Sequence, residues 1–500
     1  MLKKLKCSLT LQAVLLLVIL VLAFVIRVLN IGNILNFYYD QGRDALVIWD
    51  LIHLHKFFLI GPTTGLAGIF RGPFYYYLIA PFYFIGRGNP IWPSVFLILT
   101  SVAAVFLVYL LGTEIRDRAT GLIAALLTSF SFNLILASRW LSNSTPMLLL
   151  SLILVWGVFK IMDGKKWGWT VIALVSGLSL FNFGSSGELF YLPAIVIFII
   201  WQWKSRPDWR NLVLSIPLFA LTFAPLVLFD LKHQHILLHN LLGTFGIGSG
   251  SFGFPTITYI KGRTLDYFDI FTNKVFQSRG ILENISLSLT GISFLAFLPK
   301  FLKDKKVKVL LLFLGSAVFG LYFYQGNGGT LYDYYMTGYY LIFILLFAVI
   351  LGDISKLKIF GKILIFLFLC LFFVNNIPIT LEKTFYTCQG DAFICFSSQE
   401  QAINWIYSNA GRRDFNVDEY VPPVIPYSYN YLFIWLGTTK YNKLPVDSQI
   451  SLLYTLYEVD PPHPERLQAW LDRQKGIGKV IKEQSFGGIT VQERERITTK

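Results

Sequence analysis

The sequence predicts a polytopic α-helical membrane protein with about 11 transmembrane helices, juxtamembrane helices in a long first external loop, and a small C-terminal extracytoplasmic α/β domain. Three observations carry that expectation. Of 500 residues, 55% are apolar and 14% charged, against about 25% charged in a soluble chain, and the mean hydropathy is +0.58. The apolar residues come in unbroken runs of about 17 to 22. Such runs suit helices crossing a core of about 30 Å and exclude the alternating pattern of an outer-membrane β-barrel. Finally, the charge excess of +14 gathers in alternate connections. A polytopic chain records its cytoplasmic loops in this way, so the excess implies a lipid bilayer and no nucleic acid as partner.

The spanning segments fall at 9–29, 92–112, 119–137, 146–162, 168–184, 188–203, 211–229, 283–302, 307–324, 331–351 and 358–377. The first follows a basic start, Met1 to Lys6, and resembles a signal peptide. Its apolar run is too long for one, and no small-residue cleavage site follows, so it reads as a retained helix. One further apolar stretch, Phe74 to Ile85, is too short to span and holds Pro81. No internal repeat or inverted pair of interrupted helices points to a transporter.

Charge decides what that short stretch is. Basic residues cluster at Lys3 to Lys6, at Arg116 and Arg118, at Lys165 and Lys166, at Lys204, Arg206 and Arg210, across Lys300 to Lys308, and at Lys356, Lys358 and Lys362. The alternate short connections 138–145, 184–188 and 325–330 hold one basic residue, Arg139. This alternation holds only if 74–85 lies along the interface. Residues 30–91 then form one external loop, 230–282 a second, and 378–500 an external tail. The N-terminus is cytoplasmic and the location a plasma membrane, crossed many times.

Residues 1–377 thus form the membrane domain and 378–500 a separate one. The tail reads as a helix at Ser398 to Asn409, a strand at Ser451 to Glu458, a helix at Glu465 to Lys475 and a hairpin from Gly478 to Glu493 turning at Gly487-Gly488. Four cysteines are too few for a disulfide scaffold. Cys7 and Cys370 read as packing residues. Cys388 and Cys395 suit a local disulfide if the tail is extracytoplasmic, and their spacing supports no metal site.

The first loop holds most of the chemistry. Asn36 to Ala45 reads NFYYDQGRDA, with Asp40 and Asp44 around Arg43. Ala45, Ile48, Trp49 and Ile52 then follow helical spacing, with Asp50 and His53 opposite, the pattern of a helix resting on a membrane. Gly61-Pro62 and a glycine-rich turn lead to Phe70-Arg71-Gly72-Pro73 and Tyr75-Tyr76-Tyr77. A carboxylate at the lipid boundary beside aromatics and arginine can serve as a general base toward a lipid-borne substrate. The plainer alternative is a solvated loop with an aromatic belt.

The order of these features resembles the N-terminal half of the GT-C glycosyltransferases, and most of all the protein O-mannosyltransferase and aminoarabinose-transferase branch (glycosyltransferase family 39-like). Asp40 matches the Asp of the family's Asp-Glu pair, and Gln41 stands where the Glu would be. Arg71-Gly72-Pro73 with Phe74-Tyr75-Tyr76 resembles its basic, proline-containing, tyrosine-rich motif, with Gly72 replacing a usual residue. Ser138-Arg139-Trp140 and Asn143 match an external Ser-Arg motif after the third helix. The resemblance covers residues 1 to about 240, later helices in pattern only, and hardly touches the tail.

The resemblance implies a GT-C-type inverting enzyme taking a sugar from a polyprenyl-phosphate donor to an acceptor lipid, protein or polysaccharide outside. Asp40 would be the base. Arg139 is the first candidate for the leaving phosphate, then Lys232 and His233, with Arg71 and Arg43 further basic candidates and Asp44 beside the base. An apolar groove among the phenylalanine-rich helices would hold the isoprenoid. For Arg139 the alternative is an interfacial anchor.

Other features are less specific. His233, His235 and His239 lie close together, His235 and His239 one helical turn apart, but a polar helix cap at the membrane surface is the favoured reading, so no cofactor is assigned and a divalent metal stays open. Gly243 to Gly253 lacks the Gly-Lys-Ser/Thr of a nucleotide loop and suits a gating loop. Glu188 opens the sixth helix as a cap or a sugar contact. Tyr332 to Tyr335, with Tyr334 among them, reads as an aromatic belt or a sugar-stacking surface. Two rival readings remain, a carrier or flippase for lipid-linked saccharides that needs no base, and a scaffold without catalysis.

Overall fold

The computed structural model describes residues 11–65, 68–245, 252–325, 329–386, 388, 390, 393–422 and 425–497. Lys3 to Lys6, Cys7 and residues 246–251 of the glycine-rich loop lie outside them. The first helix α1 (Leu11–Val28) is followed by a single turn, α2 (Ile31–Ile34), and by α3 (Tyr39–His53) and α4 (Phe74–Ile85). Asp40, Arg43 and Asp44 therefore sit in the first turns of α3, not in a loop before it. Ala45 and Ile48 of α3 are fully buried, and α3 packs on the tail through Tyr39 on Tyr427 and Trp49 on Tyr431.

The bundle continues with α5 (Ile91–Ile115), α6 (Arg118–Phe130), α7 (Phe132–Arg139), α8 (Met147–Met162), α9 (Gly168–Leu178), α10 (Tyr191–Trp201) and α11 (Trp209–Lys232). After two helices in the second loop, α12 (Ile236–Phe245) and α13 (Ile257–Thr272), come α14 (Ile281–Phe301), α15 (Lys305–Phe323), α16 (Thr337–Ser355) and α17 (Lys358–Thr384). Among the described residues each expected span lies largely in helix. Among the described residues seven helices are long and apolar enough to cross a membrane, or eight if the bent pair α6–α7 is one span. The segments expected at 146–162, 168–184 and 188–203 are shorter apolar helices. Phe74–Ile85 is also helical but has only 12 residues.

Helix α16 is the axis of the bundle. Every residue from 337 to 354 except Phe343 is buried, which suits a helix apolar all round. Outer helices such as α11 and α14 turn apolar side chains outward instead, Val213 and Leu295 being 65% and 64% exposed.

The expected continuous span 119–137 is broken, α6 and α7 meeting at 63°. Such a break frees backbone groups that water cannot reach, so the protein must pair them. Arg27, 1% exposed, donates to the carbonyls of Thr128 and Ser129 at 2.9 Å each. Asn376 accepts from the Phe132 amide at 2.9 Å from the other side.

The basic clusters meet at one end of the bundle. Arg116 pairs with Asp304 and Asp353, Lys300 with Asp353, Lys306 with Glu114 and Lys356 with Asp117, each at 2.8 Å. The tail docks at the opposite end of α5, where Trp435 donates to the Arg87 carbonyl at 2.8 Å.

The tail comprises α18 (Phe396–Ala410), β1 (Asn416–Tyr420), α19 (Tyr427–Leu436), β2 (Leu452–Glu458), α20 (Pro464–Ile477), β3 (Gly478–Phe486) and β4 (Ile489–Arg496). Its four-stranded sheet has the order β1-β2-β4-β3, with β1 and β2 parallel and the other pairs antiparallel. Cys388 and Cys395 form a disulfide.

Candidate active site

Helix α3 starts at Tyr39 because Gln41 reaches back, its Oε1 accepting the Tyr38 amide at 3.2 Å. Its Nε2 donates to the Leu141 carbonyl at 3.1 Å, tying α3 to the turn after α7. A glutamate could not donate there, which gives Gln41 a physical reason. One turn on, Arg43 holds two carboxylates, Asp40 and Asp44, each at 2.8 Å, and donates to Thr63 Oγ1 at 2.8 Å.

The two carboxylates differ sharply. Asp44 is buried, also accepts from the Tyr76 hydroxyl at 3.0 Å, and burial pushes its pKa up to about 6, against the pull of Arg43 and Tyr76. The Asp40 side chain is 63% exposed. Asp44 thus anchors the guanidinium, and Asp40 is the carboxylate open to solvent.

Arg71 is brought in by a tight return of the chain. Gly61 donates to the Arg71 carbonyl at 2.7 Å and Arg71 to that of Pro62 at 3.0 Å. Gly72 lies against Asn182, where a Cβ would meet the side-chain Cγ at 2.9 Å and its oxygen closer still. Any larger side chain at Gly72 therefore has no room here. Arg71 donates to the Gly184 carbonyl. Burial lowers its pKa, and Glu188 and Tyr334 oppose this.

This side chain heads a cavity of about 210 Å³ whose polar end is Arg71, Ser185 and Tyr334 and whose body is Leu180, Phe181, Leu189 and Leu226. A separate apolar cavity of about 260 Å³ lies between α9, α10 and α11, with Ile172, Ile195, Leu212 and Phe219 in its walls. Glu188 is fully buried beneath, accepting from the Ser185 and Gly338 amides at 2.6 and 2.8 Å. Asn143 donates to the Phe183 carbonyl at 3.2 Å.

A larger cavity of about 500 Å³ opens on the other side of Tyr334, which lines both. Arg139, Trp140, Lys274, Asp333, Tyr38 and Tyr386 are among its walls. Tyr334 packs on Trp140, ring centres 5.8 Å apart, and lies within electrostatic reach of both Arg71 and Asp40.

Arg139 caps the end of α1, donating to the Ile26 and Arg27 carbonyls and to Thr384 Oγ1. Lys274, which the sequence reading missed, is a buried cation 2.8 Å from Asp333 and 4.2 Å from the Tyr340 ring centre. Burial lowers its pKa, with Asp333 opposing. A single lysine in a long loop gives no sequence signal of burial.

Lys232 and His233 are exposed at the end of α11, where His233 stacks on Phe229; like Asp40 they line neither cavity, and unlike Asp40 they are not linked to Arg43. The histidine segment is a helix cap, Asp230 accepting the Leu237 and Leu238 amides of α12 at 2.7 and 3.2 Å. Among the described residues no three His, Cys, Asp or Glu side chains converge as metal ligands. Asp40 and Asp44 instead share the Arg43 guanidinium.

Residues 71–229 match the family of dolichyl-phosphate-mannose-protein mannosyltransferases. The whole chain superposes on ArnT from Cupriavidus metallidurans bound to undecaprenyl phosphate, with a TM-score of 0.59 and 10% identity over 97% of this chain and 98% of that one. This is a GT-C glycosyltransferase fold. The oligosaccharyltransferase of Archaeoglobus fulgidus, solved with Zn and sulfate, also matches, with a TM-score of 0.53 and 13% identity over 93% of this chain and 71% of that one. No curated protein matches the chain by sequence. The family segment contains Arg71, Arg139, Asn143 and Glu188. Asp40 lies outside it. Family and GT-C fold together support a membrane glycosyltransferase with a lipid-linked donor.

Proposed function

We propose that the chain is an inverting glycosyltransferase that moves a sugar from a polyprenyl-phosphate donor to an acceptor hydroxyl on the extracytoplasmic face. The observation that carries this reading is Asp40, an exposed carboxylate fixed by Arg43 and within electrostatic reach of Tyr334, the residue shared by an apolar cleft headed by Arg71 and a cavity lined by Lys274 and Arg139.

The acceptor enters through the larger cavity and gives its hydroxyl proton to Asp40 as its oxygen attacks the anomeric carbon. The bond to the donor phosphate breaks on the opposite face, which inverts that carbon. The leaving polyprenyl phosphate takes the electron pair, and Arg71 stabilises the charge in a partly dehydrated site. Arg71 suits this role better than Arg139, whose guanidinium makes three hydrogen bonds to protein where Arg71 makes one among the described residues. The isoprenoid lies along α9, α10 and α11, and a shared fold with a protein solved with undecaprenyl phosphate bound supports that donor class.

Asp44 holds Arg43, Asn143 and Glu188 brace the floor, and Tyr334 faces the sugar. The acceptor is a lipid, protein or polysaccharide. Residues 1–377 are the catalytic body and 378–500 the covering domain. The Cys388–Cys395 disulfide supports an oxidising compartment for the tail, and the basic clusters at the opposite end support a cytoplasmic face there.

The test is to supply the purified protein in nanodiscs with polyprenyl-phosphate sugars and candidate acceptors, and to read the anomeric configuration of the product by NMR. Inversion is expected. Retention, or passage of intact lipid-linked sugar between leaflets without transfer, overturns the proposal.

A further inference from the structure

We infer that the tail is part of how the catalytic site is built, with α19 the abutment against which α3 is seated and Gly42 a positioning residue for Asp40. The inference rests on the reading of Asp40 as the base.

Gly42 lies on the buried face of α3 with Gln41, Asp44, Ala45 and Ile48. A Cβ there would stand 2.5 Å from Ser428 Cα and from the Tyr427 carbonyl carbon, and nearer the Ser428 nitrogen. These are backbone atoms, so no side chain can swing aside. Helix α3 and the first turn of α19 touch as closely as two backbones can, and Tyr39 packs on Tyr427 beside them, ring centres 4.9 Å apart.

The abutment is itself fixed. Tyr431 is buried, donates to the Gly88 carbonyl at 2.5 Å and packs on Phe37, Trp49 and Tyr83. Gln399 of α18 donates to the Phe37 carbonyl at 3.1 Å. The first turn of α3 is thus gripped by the tail, by Tyr76 through Asp44, and by the Leu141 carbonyl through Gln41. Asp40 leaves that turn exposed, so its place is set by the grip and not by its own packing. The donor cleft is formed by the 61–73 loop, α9, α10 and α11, and no tail residue lines it. A shift of α3, which meets the donor cleft's loop through the Arg43–Thr63 hydrogen bond, should therefore move the base more than the donor site.

The experiment compares full-length Gly42→Ala with wild type in nanodiscs, measuring kcat for transfer and the affinity for polyprenyl phosphate separately. A displacement of ~1 Å at a reacting group lowers rate about 10²-fold, so kcat should fall about 10- to 100-fold with affinity within about twofold of wild type. If Gly42→Ala does not fold, Tyr427→Ala loosens the same contact without inserting an atom, and should show the same split more mildly. Unchanged kcat in both, with Asp40→Asn inactive, overturns the positioning inference and spares the base. Parallel loss of kcat and affinity also overturns it, because that is a general structural defect. An active Asp40→Asn overturns the base reading beneath it.

Discussion

Replacing Gly72 by alanine isolates the placement of Arg71 without touching its charge. The new Cβ would stand 2.9 Å from Asn182 Cγ and closer to its oxygen, whereas unstrained heavy atoms prefer about 3.5–4.0 Å. The gap must open by roughly 1 Å. Asn182 cannot turn away, being fully buried, donating to the Thr222 carbonyl at 2.9 Å and accepting the Phe74 amide at 3.3 Å. The 71–73 segment must move instead, against the Gly72 amide's bond to the Phe181 carbonyl at 2.6 Å. Losing one or two of these bonds costs about 1 kcal/mol each, and overpacking about 1–3 more, so the strain is about 2–5 kcal/mol. An arginine displaced by ~1 Å from a phosphate loses up to about 10²-fold. The assay is binding of polyprenyl phosphate to the solubilised protein, with Gly315→Ala as control because nothing lies within 4 Å of a Cβ there. Affinity should fall about 10- to 100-fold in Gly72→Ala and hold in the control. Unchanged affinity in a folded Gly72→Ala would refute Arg71 as the phosphate anchor.

Three other expectations rest on separate parts of the molecule. Asp44 ionises near 6 in the fold but near 3.9 unfolded, so the folded state holds the extra proton between those values and stability falls as pH rises from about 4 to 6. Two units amount to about 3 kcal/mol, and melting from pH 4 to 8 should show this slope in wild type and lose it in Asp44→Asn. Arg27→Met strands the Thr128 and Ser129 carbonyls at the α6–α7 break, costing about 2–6 kcal/mol at about 1–3 for each unpaired group. A variant melting like wild type would contradict that account of the bend. With Cys7 and Cys370 changed to serine, an impermeant maleimide should label Lys479→Cys on intact cells and Lys303→Cys only after permeabilisation; the reverse pattern contradicts the orientation.

Periodicity and charge made the membrane helices legible, because lipid leaves the backbone few alternatives to helix. Their interruptions were not legible. The bend at Ser131 depends on Arg27 and Asn376, more than 100 and 240 residues away, and Arg27 looked like one more residue in an apolar run. In the tail, the 398–409, 451–458, 465–475 and 478–493 elements followed from alternation and turn residues. Strand β1, Asn-Val-Asp-Glu-Tyr, has the polar look of a loop, and α19 is a run of aromatics that suits strand or helix equally. Missing α19 hid the cover over α3, and so a helix pattern read as membrane-facing proved to face protein.

At the site, the local sequence brought Asp40, Arg43 and Asp44 together correctly, since residues three and four apart share a helix face. Which carboxylate stays open is decided by Tyr76 and by burial, neither visible in the motif. Arg139 stood out as a lone cation in an uncharged loop, yet the uncapped end of α1 claims it. Lys232 and His233 stood out by composition and remain at the rim. Lys274 carried no pattern, and only the return of Asp333 beside it reveals a buried charge.

The measurement that bears most directly on the central claim is sugar transfer by Asp40→Asn alongside its affinity for polyprenyl phosphate. The variant keeps the size of the side chain and removes the proton acceptor. The expected result is donor affinity within about twofold of wild type, with transfer reduced by the 10²- to 10⁴-fold that a general base contributes. A variant that transfers sugar at the wild-type rate contradicts the account.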